Sequence, residues 1–197
     1  MAGTKTKRVF SLLIAIAVIG SAGCILSPDE DVPPDDPVVV YKDLKNKEDV
    51  PYNLVQCYKE HNLNRYMELL HEQYTWHNQE LDVLNNGLKE FNTRDEEITT
   101  HEKFFRAAKH QYTEDPLKNI DRLDLVIEDA GWTQIYTFEE APCEDCWETT
   151  RIYTITVEFQ GGQSILVGND LLRLTVVGVE KDGTTYYKLR RADDLTN

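Results

Sequence analysis

Between Asn46 and His61 the apolar positions recur at helical spacing, with Val50, Leu54, Cys57, Tyr58 and His61 along one side of NKEDVPYNLVQCYKEH. Asn46 or a residue just after it can cap the start, and Pro51 is tolerated only near the first turn. Asn62-Leu63-Asn64 interrupts the pattern, and Leu63, Tyr66, Met67 and Leu70 resume it in a shorter second helix. Thr93-Arg94-Asp95-Glu96 has the form of a capping box, opening a third helix with Ile98, His101 and Phe105 on one face. Past Pro116 the period drops to two. Leu123, Leu125 and Ile127 alternate with Arg122, Asp124 and Glu128, and a second strand runs from Trp132 through Tyr136 and Phe138. Tyr153, Ile155, Val157 and Phe159 mark a third strand, and a long fourth runs from Ile165 to Val179 with a bend near Gly168-Asn169. Gly161-Gly162 and Asp182-Gly183 are turn signals, and Tyr187 and Leu189 define the last strand. Helices gathered ahead of a meandering antiparallel sheet predict an α+β domain.

The N-terminus follows a different rule. Lys5, Lys7 and Arg8 precede an apolar run, VFSLLIAIAVI, which ends in the small residues Gly20-Ser21-Ala22-Gly23 and then Cys24. This is the layout of a secretory signal peptide, and the run is shorter than the roughly 20 apolar residues of a membrane-spanning helix. The junction SAGC resembles a bacterial lipobox, in which the cysteine is acylated and becomes the new N-terminus. Ala22 and Gly23 match that pattern, whereas Ser21 stands where a larger aliphatic residue is usual. The resemblance implies cleavage after residue 23 and a lipid anchor on Cys24, since each buried methylene contributes about 0.8 kcal/mol. Ile25, which is not Asp, fits delivery to an outer membrane facing the periplasm if the host has one. Residues 24–44 then read as an acidic, proline-rich tether: SPDEDVPPDDP favours extended backbone and repels anionic lipid. It lacks the glycine and terminal glutamate of a calcium loop.

Charge narrows the partners. Removing residues 1–23 takes away three basic side chains and no acidic one, moving the formal charge from −14 to −17. Nucleic acid and anionic membrane surfaces, bound mainly through Lys and Arg, are therefore excluded as expected partners. Residues 45–197 are long enough for one domain with a proper core.

Three stretches of that domain resemble the NTF2-like superfamily, a cone in which a curved antiparallel sheet wraps around N-terminal helices. YKEHNLNRYMELLHEQYTWHN resembles its helix, polar turn, second helix and first strand. NTRDEEITTHEKFF resembles its third helix, and TYYKLRRADDL its closing strand. The resemblance implies a pocket at the cone mouth, though this superfold hosts both enzymes and inert scaffolds. Reading outward from the Asn62-Leu63-Asn64 turn, Leu54 falls where ketosteroid isomerases keep a tyrosine donor, and Asn78 where they keep a carboxylate base. Leucine has no proton to give and an amide is no base, so that mechanism is disfavoured. A substitute site would use His77 or His101 as general base, with Tyr74, Tyr136, Tyr153 and Glu158 completing a lined pocket. A histidine on an apolar helical face is more often a hydrogen-bonded core residue. The five histidines (His61, His71, His77, His101 and His110) offer no metal-ligand spacing, and no cofactor or metal is expected.

Cys143 and Cys146 form a C-x-x-C flanked by acids and following Pro142, the wrong setting for a low-pKa redox pair. In an oxidising envelope a structural disulfide closing a hairpin tip is the expected outcome, leaving Cys57 unpaired and buried. Together these features predict a non-enzymatic, lipid-anchored envelope protein that binds a small apolar ligand or a protein partner. An NTF2-like enzyme (isomerase, cyclase or hydrolase) and a homodimeric assembly module are the alternatives. An enzyme would show His77 or His101 meeting a carboxylate or tyrosine in an open pocket, and an assembly module a filled cone and an exposed apolar sheet face.

Overall fold

The structure is a computed structural model that describes residues 39–109, 120–159 and 162–195. The signal segment, Cys24, the acidic tether as far as residue 38, His110, Pro116 and Gly161 lie outside the described residues. Three helices and a strand come first: α1 (Asp49–Glu60), α2 (Leu63–Leu69), β1 (Leu70–His77) and α3 (Glu80–Asn86). Then follow β2 (Phe91–Thr93), α4 (Arg94–Ala108), β3 (Ile120–Ile127), β4 (Thr133–Phe138), β5 (Ala141–Phe159), β6 (Gln163–Lys181) and β7 (Thr184–Asp194). Pro51 sits in the first turn of α1, where a missing N–H costs nothing. Asn62 caps α2 by accepting from the Arg65 N–H, and Thr93 and Glu96 close the reciprocal capping box on α4.

Among the described residues the strands form one sheet in the order β2-β1-β7-β6-β5-β3, with β4 also paired to β5. All pairings are antiparallel except β1 with β7. Helix α4 packs against both β1 and β3, which lie far apart in strand order, so the sheet must curl around it. The predicted α+β cone is the observed architecture. Its core runs through Leu69, Phe105, Ile120, Leu174 and Leu189, each almost fully buried and worth about 1.5–3 kcal/mol relative to exposure. The bend expected near Gly168-Asn169 is a register shift between β5 and β6, with Asn169 at φ 60°.

Two features differ from expectation. The packed chain reaches back before residue 45: Leu44 is buried, its carbonyl accepts from the Tyr187 N–H, and Asn53 brackets Lys42 with two main-chain hydrogen bonds. Cys143 and Cys146 are disulfide-bonded, but within β5 rather than at a hairpin tip. The tip is Glu139-Glu140, both at positive φ, between the paired residues Phe138 and Ala141. Ile135 faces Cys146 and Thr137 faces Pro142, so the disulfide closes a bulge of β5 opposite Tyr136.

Candidate functional site

Among the described residues, two places that bury an ionisable side chain bear on function. The first is the interior of the cone. His101 projects from the apolar face of α4 and is 7% exposed. Its Nδ1 lies 3.0 Å from the Glu97 main-chain carbonyl oxygen, which only accepts, so Nδ1 carries the hydrogen and donates. Nε2 then accepts from the Tyr58 hydroxyl at 2.6 Å. The Tyr66 ring stacks on the imidazole with centroids 4.0 Å apart, and Phe105 meets it edge-on. The Glu97 carboxyl lies 3.4 Å from Nδ1 and accepts from the Tyr66 hydroxyl at 3.4 Å. Tyr74 and Tyr153, both nearly fully buried, complete the aromatic lining.

Burial sets the charge states here. It pushes the Glu97 carboxyl up to about 7 and the His101 imidazole down to about 4, because neither charge is solvated inside the cone. The pair therefore sits mainly neutral near pH 6, a hydrogen-bonded core rather than an ion pair. A Tyr58–His101 dyad can in principle relay a proton, but both imidazole nitrogens are engaged and the ring is enclosed by Tyr58, Tyr66 and Phe105.

The remaining expected residues are not brought to this network. Alternation along β1 separates Tyr74, which is buried, from His77, which shares its face with Thr75 and lies 3.2 Å from that hydroxyl. His77 stacks on the exposed Phe91 instead. Tyr136 is 70% exposed, and Glu158 alternates with the buried Val157 and pairs with Arg122 at 3.4 Å. Of the expected lining, Tyr74, His101 and Tyr153 share the interior, whereas His77, Tyr136 and Glu158 lie outside it. His61 caps α1 in the left-handed region, half-buried, and meets Phe105 at 6.2 Å. Cys57 is a free, buried thiol, pushed up to about 12 by burial. Among the described residues no group of three or more His, Cys, Asp or Glu side chains is placed to hold a metal ion.

The second place was not legible in the sequence. An open cleft of about 780 Å³ lies between α1 and the turn joining β3 to β4. Pro51, Tyr52 and Val55 of α1 face Ile127 across it, and Arg151 of β5 is at its base. The Arg151 side chain is only 2% exposed, and its guanidinium lies 5.3 Å from the Trp132 ring centroid. Nη2 donates to Glu48 at 2.9 Å and to the Ala130 carbonyl at 3.2 Å. Nη1 makes longer contacts, 3.4 Å to Asp129 and 3.5 Å to the Glu128 carbonyl. Nε is buried without a hydrogen-bond partner among the described residues. Glu48 and Asp129 themselves stand in solvent, one on each wall. Alternation hides this arginine: Arg151 is the inward position between Thr149 and Tyr153, a place where the strand pattern otherwise carries uncharged residues.

No protein-family model and no curated protein matches the sequence. Solved structures do match by shape. A candidate scytalone dehydratase from Novosphingobium aromaticivorans superposes with a TM-score of 0.53 at 11% identity, covering 76% of this chain and 80% of that one. A type 2 hexachlorocyclohexane dehydrochlorinase gives 0.51 at 8% identity, covering 76% and 82%. A Mycobacterium tuberculosis protein of unknown function gives 0.50 at 8% identity, covering 76% and 69%. Identities this low carry the fold alone, and the fold is the NTF2-like cone.

Proposed function

We propose that this protein is a lipid-anchored envelope protein whose NTF2-like domain binds a small molecule without transforming it, in the cleft between α1 and the β3–β4 turn. The observation that carries the reading is a contrast in access. The histidine that would serve as a base is enclosed by its own tyrosines, while an open cleft of about 780 Å³, within the range of small-molecule sites, stands beside α1. The anchor rests on the lipobox-like SAGC, and the acidic tether keeps the domain clear of the bilayer. Among the described residues no helix is long and apolar enough to cross a membrane.

Two measurements test the reading. Cells making the full chain are labelled with tritiated palmitate: label should appear on the wild type and vanish in Cys24→Ala. A labelled Cys24→Ala protein would remove the anchor from the proposal. Native mass spectrometry of the mature protein, before and after denaturation, should reveal a non-covalent mass that Val55→Trp, which fills the cleft, abolishes. Retention of that mass in Val55→Trp would move the ligand elsewhere in the domain.

A further inference from the structure

Arg151 poses a question that a merely structural arginine does not. A buried guanidinium is normally saturated by fixed partners. Here Nε has none among the described residues, and Nη1 reaches only two contacts at the outer limit of hydrogen bonding. One of those two, Asp129, is a solvated side chain on a turn, free to swing away. Pro51, Tyr52, Val55 and Ile127 give the cleft an apolar stretch beside the polar Gln56, and a second cation on its lining, Lys42, lies over the Tyr52 ring at 4.1 Å and 3.9 Å from Asp49. A cleft that sets an apolar stretch beside an under-satisfied guanidinium and an ammonium is complementary to an amphiphilic organic anion.

Resting on the binding reading above, we infer that the cleft takes a small amphiphilic carboxylate, whose head group displaces Asp129 from Arg151 Nη1 while its apolar body lies between Val55 and Ile127. Asp129 then acts as a stand-in for the ligand acid, holding the guanidinium in place when the cleft is empty. Glu48, the closer partner at 2.9 Å, stays on Nη2 and keeps Arg151 oriented. A carboxylate in this position gains charge-assisted hydrogen bonds that a neutral analogue lacks.

The test uses the mature full chain in phosphatidylcholine nanodiscs and three water-soluble probes with one apolar body: 4-phenylbutyrate, 4-phenylbutyramide and 4-phenylbutylamine. Calorimetric titration should rank the carboxylate at least about tenfold tighter than the amide, with the amine weakest. Asp129→Asn should tighten phenylbutyrate by about threefold or more, since its competitor loses charge. Arg151→Gln, first shown by circular dichroism to be folded, should bring carboxylate and amide to nearly equal affinity, since the charge that distinguishes them is gone. Equal binding of carboxylate and amide by the wild type, lost in Val55→Trp, would overturn the head-group inference and leave the cleft as a ligand site. Preference for the amine would assign the head group to Glu48 and Asp129 instead. Failure of all three probes, with a native ligand that persists in Val55→Trp, would overturn the cleft itself.

Discussion

His101 inside the cone and Arg151 beneath the cleft are both buried nitrogen bases, yet the protein treats them in opposite ways. His101 is surrounded by rings and a carboxyl that is itself enclosed, so burial discharges both groups and the network holds neutral hydrogen bonds. Arg151 cannot be discharged, so the fold gives it two carboxylates that remain in water on the far side. One arrangement is sealed and finished within the chain. The other ends at solvent, with part of its hydrogen-bonding capacity unused. What distinguishes a packing device from a binding device here is not residue type, since both look catalytic or ionic on paper. It is whether each polar atom finds its partner inside the domain.

The largest test of this contrast is steric. Phe105 is almost fully buried and meets the rings of Tyr58, Tyr66 and His101, so Phe105→Ala removes the surface against which the network is stacked. A loss of about 3–5 kcal/mol is expected, read from urea denaturation. A loss under about 1 kcal/mol would mean that the interior is loose, and would reopen the cone as a site.

A second test reads the charge states. In the fold Glu97 keeps its proton up to about pH 7, whereas the unfolded residue ionises near 4.5. Its contribution to stability is complete below 4.5 and is lost as the pH rises through 7. His101 runs the other way: it resists protonation down to about 4 against 6.5 unfolded, so its contribution is complete above 6.5 and is lost as the pH falls. Between 4.5 and 6.5 the two slopes cancel. Glu97→Gln removes only the first. Relative to wild type, the variant should gain about 3 kcal/mol of stability between pH 4.5 and 7, seen as a widening gap in urea midpoints. Parallel curves would show that Glu97 is ionised in the fold and that the His101 pair carries charge.

The sequence showed more of the packed interior than of the cleft, for reasons tied to particular residues. The capping box at Thr93 and Glu96, Pro51 in a first turn and the break at Asn62 are local signals, and the helices begin where those signals put them. His101 was recognisable because it shares a helical face with Ile98 and Phe105. His77 was not placed because its orientation depends on strand register, and a shift of one residue reverses it. The β4–β5 turn escaped notice because Glu139-Glu140 adopts positive φ with neither glycine nor asparagine. The short helix α3 and the strand β2 carry too few apolar residues to show a period. Arg151 lay furthest from view: its partners Glu48 and Asp129 come from the start of α1 and the β3–β4 turn, brought together by the pairing of β3 and β4 with β5 and the packing of α1 on β3.

The smallest expected effect is also the sharpest on this comparison. If Asp129 is a replaceable partner, then Asp129→Asn should leave the fold almost untouched, because the side chain is solvated and its contact with Arg151 is long. A change in Tm of no more than about 2 °C is expected, by differential scanning calorimetry in the absence of any carboxylate. With saturating 4-phenylbutyrate the same variant should show the larger ligand-induced rise in Tm, since stabilisation follows affinity. A large destabilisation without ligand would make Asp129 a structural partner of Arg151. The cleft would then resemble the cone interior, a polar cluster completed by the chain itself, and the distinction between the two regions would collapse.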